Sequence, residues 1–255
     1  MRVGIHTISW GQRPRSIQTM LQEARDAGYE GVELMQDPKV IGDPGKLLEA
    51  LQLEPKLTLL GFSGGAPEER IQYVRRTLPL LPDPNSPRGF GIRMYKTEET
   101  TRPYIYVDDW EEDVHAPLLS QPDVLLALHP HMFKPVQTAK EASKLLQAHS
   151  ALRFLPDTAH LMVAGENPVR VIEENFSRLA AVHLKDWTAE FGRAYQFYPR
   201  GFAHLGAGSV PLKQVLEMLV KNNYDGWIVV EQDWAANPSE SAKRSREWLL
   251  HENGI

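Results

Sequence analysis

No cysteine occurs among the 255 residues of this chain. That excludes disulfides, thiolate metal ligands and a cysteine nucleophile. No apolar run reaches the ~18 residues of a membrane-spanning helix. The opening MRVGIHTISWG lacks the charged start and long apolar stretch of a secretory signal. A cytoplasmic protein without membrane contact is the expectation. Positive charge is also in short supply: 28 Lys and Arg stand against 33 Asp and Glu, for a net charge of −5, with no long basic run. Nucleic acid is therefore not expected as a main partner. No Gly/Ser- or Pro-rich linker divides the sequence. The length is close to the ~250 residues of one (β/α)8 barrel, and residues 1–255 read as a single domain.

What the sequence does contain is a repeated juxtaposition. Four apolar, strand-like runs each end in potential metal ligands. VLLALHPH ends at His129 and His131, and LRFLPDTAH holds Asp157 and His160. LAAVHLKD supplies His183, Lys185 and Asp186, and GWIVVEQD supplies Glu231 and Asp233. A helix-like segment follows each of the first three. Strands alternating with helices make a parallel sheet. Polar groups at the carboxyl ends of successive parallel strands face one end of that sheet, the end at which barrel enzymes do chemistry.

The amino-terminal half fits the same scheme. VGIHTIS, EGVELM and LTLLGF read as the first three strands. Helical spacing of Ile17, Met20, Leu21 and Ala24 predicts a helix between Pro14 and Ala27, stopped by Gly28. A short helix is expected around Leu47 to Leu51, and another after Pro67. The middle is irregular. Gly89 to Tyr95 and Pro103 to Val107 read as two extended runs, the second serving as strand four. Pro117 and Pro122 leave little room for a helix behind it. The expected fold is thus α/β, a (β/α)8 TIM barrel with an irregular or shortened fourth βα unit. A strand without its covering helix exposes apolar surface, so self-association through residues 85–122 is expected, as a symmetric homodimer. Helices from Thr138 to His149, from Pro168, over PLKQVLEMLVKN and from Glu240 to Leu250 complete the pattern.

Each candidate residue has a plain explanation by itself. His129 and His183 could be hydrogen-bonded core histidines, and Asp157 could cap a turn. Glu231 is harder to dismiss, because an unpaired carboxylate after WIVV is costly. Taken together, the recurrence in four successive units predicts one divalent metal ion bound by His129, Asp157, His183 and Glu231. Imidazole and carboxylate ligands suit Mn, Co, Fe or Zn. His131 lies two residues past His129 on extended chain, so both can share a face. Lys185 stands in the same relation to His183 and is a candidate to neutralise an oxyanion or donate a proton. His160, just beyond strand six, is a candidate to touch substrate. Asp186 and Asp233 could orient His or Lys partners. His6 and Glu33 end strands one and two and read as structural or peripheral. Gly206 and Gly208 suggest a loop where backbone approaches a ligand, and Trp10, Phe62 and Trp187 an apolar wall.

The chain resembles the xylose isomerase-like TIM barrels, a group of sugar isomerases, epimerases and dehydratases. The likeness rests on GYEGVEL, LPDTAH, VHLKD, LGAGSVP and GWIVVEQD and runs from residue 1 to about 250. Within the group, HPHM, HLKD and GWIVVEQD are most similar to the inosose dehydratases. The resemblance implies metal ligands Glu, Asp, His and Glu on strands five to eight, which fall on His129, Asp157, His183 and Glu231; His stands where Glu is usual. It implies an enolate-forming lyase that removes water from a keto-polyol, with His131 or His160 as base and Lys185 and Glu231 as further catalytic groups. The substrate would be a small polyol or keto-sugar. A sugar isomerase or ketose epimerase on the same site is the alternative. Apurinic-site endonuclease chemistry would need three metals and more His and Asp ligands than are found, and an inactive sugar-binding barrel is the non-enzymatic reading.

Overall fold

A computed structural model of the protein describes residues 1–11, 16–35, 58–62, 66–77, 104–121, 124–188 and 201–255. Eight parallel strands form its centre: β1 (Arg2–His6), β2 (Gly31–Leu34), β3 (Thr58–Phe62), β4 (Tyr104–Val107), β5 (Leu125–Leu128), β6 (Arg153–Phe154), β7 (Val182–Leu184) and β10 (Trp227–Val230). Their order in the sheet is β6-β5-β4-β3-β2-β1-β10-β7. The two end strands meet through single parallel bridges, Phe154 to Leu179 and Asp157 to His183, which complete the ring. The expected TIM barrel is thus the observed one. A separate antiparallel pair, β8 (Asp186–Trp187) and β9 (Phe202–Ala203), stands above β7.

The strands read as continuous apolar runs because both faces are covered. WIVV and LLAL are buried at every residue, as expected of strands in a parallel sheet. Alternation sorts them into two cores. Tyr104, Leu125, Ala127, Leu155, Ala181, Trp227 and Val229 form one cluster, the barrel interior. Val3, Ile5, Val32, Ile105, Leu126, Leu128, Val182 and Ile228 join the larger layer between strands and helices. Continuing the interior period by two residues leads from Ala127 to His129, from Ala181 to His183 and Lys185, and from Val229 to Glu231. The lower barrel is therefore apolar and the upper barrel ionisable.

The helices carry the expected boundary chemistry. The first (Ile17–Asp26) is capped by the Ser16 side chain and buries Met20, Leu21 and Ala24; burying a leucine contributes about 1.5–3 kcal/mol. Gly28 follows it at φ 89°. Ala139–Ala148 begins with a reciprocal capping box between Thr138 and Glu141. The last helix (Pro238–Asn253) starts from Asn237 and ends at left-handed Gly254. Among the described residues, a four-residue helix (Glu112–His115) and a 3-10 turn (Ala116–Ser120) follow β4. The fourth unit is short, as Pro117 suggests. The expected elements around 47–51 and 89–95, and much of the region 85–122, lie outside the described residues. The helix Thr158–Val163, six residues in contact with β7, also escapes the sequence pattern.

Candidate metal centre

The carboxyl ends of β5, β6, β7 and β10 bring the four expected ligands together. His129 follows β5, with its N–H on Val107 O at 2.8 Å. Its Nδ1 lies 2.9 Å from Leu155 O. A carbonyl only accepts, so Nδ1 carries the proton and Nε2 keeps a lone pair. Burial, reinforced by the nearby charge of His183, lowers its pKa to about 4. His129 is thus held neutral, the form that binds a metal.

Asp157 is both a cap and a candidate ligand, one role per oxygen. Oδ1 accepts from the N–H groups of Ala159 (2.8 Å) and His160 (2.9 Å), starting the short helix Thr158–Val163. Oδ2 faces Lys185 Nζ at 3.1 Å. His183 continues the interior face of β7 and is fully buried. Its Nε2 is 3.1 Å from Glu33 Oε2, and its Nδ1 is 2.7 Å from Glu231 Oε2. The second contact is short but off the line of a hydrogen bond. Burial alone would lower the His183 pKa; Glu33 and Glu231 outweigh it and raise it to about 10.

Lys185 lies at the centre of the charge cluster with no exposed surface. Its Nζ is 2.7 Å from Glu231 Oε1, 2.9 Å from Asp233 Oδ1 and 3.1 Å from His160 Nε2. Burial would depress its pKa, but Asp157, Asp233 and Glu231 hold it well above the usual value. In return, and against its own burial, Glu231 is held well below the usual carboxylate range, by Lys185 first. Asp233 goes the other way: burial outweighs Lys185 and pushes it up to about 7.

The rings of His131 and His160 lie with centroids 3.8 Å apart, tilted by 43°. They differ in access. His160 is fully buried and its Nε2 takes the Lys185 ammonium. His131 is partly exposed, with Nδ1 on Met132 O at 2.7 Å, which leaves Nε2 basic. Asp186 does not orient a His or Lys among the described residues. Its carboxylate instead gathers four backbone N–H groups, those of Trp187, Gly206, Gly208 and Val210, at 2.9–3.1 Å. The two glycines therefore turn toward Asp186, and a Cβ on Gly208 would collide with it. This anchor fixes the hairpin that lays Phe202 over Lys185 Nζ, 4.8 Å from the ring centroid. Trp10 belongs to the core. Phe202, Tyr104, Tyr106 and the role of Glu33 were not foreseen. Phe202 has no pattern around it, while the two tyrosines carry a period of two that an interior strand would show.

A divalent ion fits these residues. His129, Asp157 and His183 each offer one ligand atom, all buried and within 4.8 Å of one another. Among the described residues, Asp157 Oδ2, His183 Nδ1 and Glu231 Oε2 are buried without a hydrogen bond. Such atoms are costly, and a cation between them removes the cost. Carboxylates at Glu33, Asp157, Glu231 and Asp233 also outnumber the ammonium of Lys185 and the imidazolium of His183.

A parallel eight-stranded ring with imidazoles and carboxylates at its carboxyl end defines a TIM barrel with a candidate mononuclear metal centre. The chain belongs to the xylose isomerase-like TIM barrel family, whose profile matches residues 104–251. It is 30% identical over 152 residues to an inosose dehydratase of Clostridium botulinum (strain Eklund 17B / Type B), covering 54% of this chain and 51% of that protein. The chain thus spans about half the length of the curated relatives it matches. Its fold is similar to that of the probable 3-DHS dehydratase of petrobactin synthesis from Bacillus anthracis (TM-score 0.70, 16% identity, 98% of this chain and 99% of that one). It is also similar to the IOLI protein, solved with a binding zinc atom (TM-score 0.67, 12% identity, 99% and 98%). These two likenesses show the fold. No described helix is long and apolar enough to cross a membrane.

Proposed function

We propose that this protein is a metal-dependent lyase that removes water from a keto-polyol, with inosose as the first substrate to test. One observation carries the reading. Ligand atoms of His129, Asp157 and His183 lie within 4.8 Å of one another, Glu231 Oε2 is 2.7 Å from His183 Nδ1, and nearby His131 is partly exposed with its Nε2 left basic. The inosose dehydratase relatives, matched over half their length, support it.

We assign the ion to His129, Asp157, His183 and Glu231, as Mn, Co, Fe or Zn. When bound, it would act as a Lewis acid toward the substrate carbonyl. The chain's own groups would do the rest. Elimination needs one proton removed from the carbon beside the carbonyl and one delivered to the departing hydroxyl. His131 Nε2 is the base in this account, because it is neutral and accessible. His160 is the second candidate; its Nε2 is already engaged by Lys185 and its ring is buried. Lys185 holds Asp157, Glu231 and Asp233 in place, and its ammonium is the group that would deliver a proton to the departing hydroxyl. Phe202 keeps water from the ammonium.

Isomerisation or epimerisation would begin with the same proton removal. The family resemblance gives epimerases two opposed glutamates; here His129 occupies one of those positions, which favours elimination. The test is chelator-stripped protein reloaded with each of the four metals and incubated with inosose. Restored loss of inosose, with an ultraviolet-absorbing conjugated product, is expected. Isomeric product without absorbance would transfer the assignment to the isomerase or epimerase reading. No turnover on inosose or a wide sugar panel would leave a binding barrel.

A further inference from the structure

We propose that Glu33, held by Tyr104, is a positioning residue that fixes the ring of His183 and aims its Nδ1 at the metal. The inference rests on the metal reading above. Glu33 is the residue before the last of β2 and has no exposed surface. A carboxylate there is expensive unless it is fully engaged. Two side chains from two other strands engage it, both at Oε2, and the His6 ring lies beside Oε1 without a hydrogen bond to it. Tyr104 Oη donates to Oε2 at 2.5 Å, and His183 Nε2 lies 3.1 Å from the same oxygen. His6 Nε2 is 3.4 Å from Oε1.

The proton positions in this group are determined by elimination. His6 Nδ1 accepts from the Ile8 N–H at 3.1 Å, so the His6 proton sits on Nε2, facing Glu33. Oε2 accepts the Tyr104 hydroxyl at 2.5 Å, so the same oxygen faces His183 Nε2 as an acceptor. His183 must then present Nε2–H to Glu33. Its other nitrogen, Nδ1, is left as the ligand atom beside Glu231 Oε2 and Asp157. A carboxylate that accepts the far N–H of a ligating histidine fixes the tautomer and raises the basicity of the ligand. Tyr104 makes the arrangement rigid, since its ring is packed among Leu125, Ala127 and Trp227. Its hydroxyl shares Oε2 with His183, which sets where that oxygen points. The contacts span 71 and 150 residues of sequence.

The test uses the full chain and two variants. Glu33→Gln keeps the volume but replaces one acceptor oxygen by a donor; Tyr104→Phe keeps the carboxylate and removes only the hydroxyl. Zn²⁺ titration of stripped protein should show a dissociation constant raised about 10–100-fold in E33Q, the range found when such partners are lost. Y104F should show a smaller, few-fold rise. In the Zn²⁺-loaded wild type, long-range ¹H–¹⁵N spectra should place the metal on His183 Nδ1 and a downfield proton on Nε2. That proton should move upfield in both variants. A purely structural Glu33 would change melting temperature without moving that resonance. Zn²⁺ affinity within twofold of wild type and an unmoved Nε2 proton in folded E33Q would overturn the inference while leaving the metal reading intact. If E33Q does not fold, the same two measurements on Y104F decide. Wild-type protein that takes up no metal would overturn both.

Discussion

Lys185→Met removes one ammonium and leaves a side chain of similar length. The consequence follows from what the ammonium holds. Glu231, Asp233 and Asp157 lie within 2.7–3.1 Å of Nζ, all buried. Removing one partner of a buried ion cluster costs about 3–5 kcal/mol, because the remaining charges are left uncompensated. Asp233, pushed up to about 7, relieves part of this by taking a proton, which argues for the lower end, ~3 kcal/mol. In a chain of this size each kcal/mol moves Tm by roughly 2–4 °C. Metal-free K185M should thus melt about 6–12 °C below metal-free wild type, by circular dichroism at pH 8. Metal should restore most of the loss, since a cation among the same carboxylates replaces the missing charge. In turnover assays kcat should fall more than substrate affinity, as for a group acting mainly in the transition state. A metal-free K185M melting within 2 °C of wild type would refute the view that Lys185 supplies the site's charge balance.

Other outcomes follow from the same geometry. Asp157→Ala and Glu231→Ala should each weaken metal binding greatly; unchanged metal content in both, by elemental analysis, would contradict the ligand assignment. Metal uptake should release a proton from His183, because its metal-free pKa is raised from 6.5 to about 10. A group raised on folding stabilises the metal-free fold fully below its unfolded value. That contribution is lost as pH rises from about 6.5 through about 10. Calorimetry in buffers of different ionisation enthalpy should report the released proton at pH 7.5, and none would count against His183 as a ligand. Asp186→Asn should cost about 3–6 kcal/mol, since the amide loses one oxygen with its two N–H donors and bonds to a charged acceptor contribute about 1.5–3 kcal/mol each. Hydrogen exchange should rise selectively over residues 204–210; uniform exchange would remove Asp186 as the anchor of that loop.

The sequence made the barrel legible because parallel strands buried on both faces leave uninterrupted apolar runs, and each run here stops at an ionisable residue. His129, His183 and Glu231 could be placed from the strand period alone. Asp157 shows the limit of that reasoning: the cap and the ligand read as rival explanations, yet Oδ1 alone makes the cap and Oδ2 is left for the proposed ligand role. Glu33 looked peripheral because its partners, Tyr104 and His183, are distant in sequence and nothing local marks them. Asp186 was expected to orient a His or Lys. Its four N–H donors come from a loop whose path depends on the β8–β9 hairpin, which two-residue strands do not announce. β6 is equally short, since Pro156 cannot donate and the chain turns at once into the helix capped by Asp157.

The proposed reaction is elimination of water from a keto-polyol at the His129–Asp157–His183–Glu231 centre with His131 as base. It is tested most directly by NMR on metal-loaded protein and inosose in heavy water. The expected result is metal-dependent conversion to a product that has lost water, abolished in His131→Ala with metal binding retained. Deuterium incorporation into an isomeric product that keeps all its hydroxyls, or unchanged turnover in His131→Ala, would contradict it.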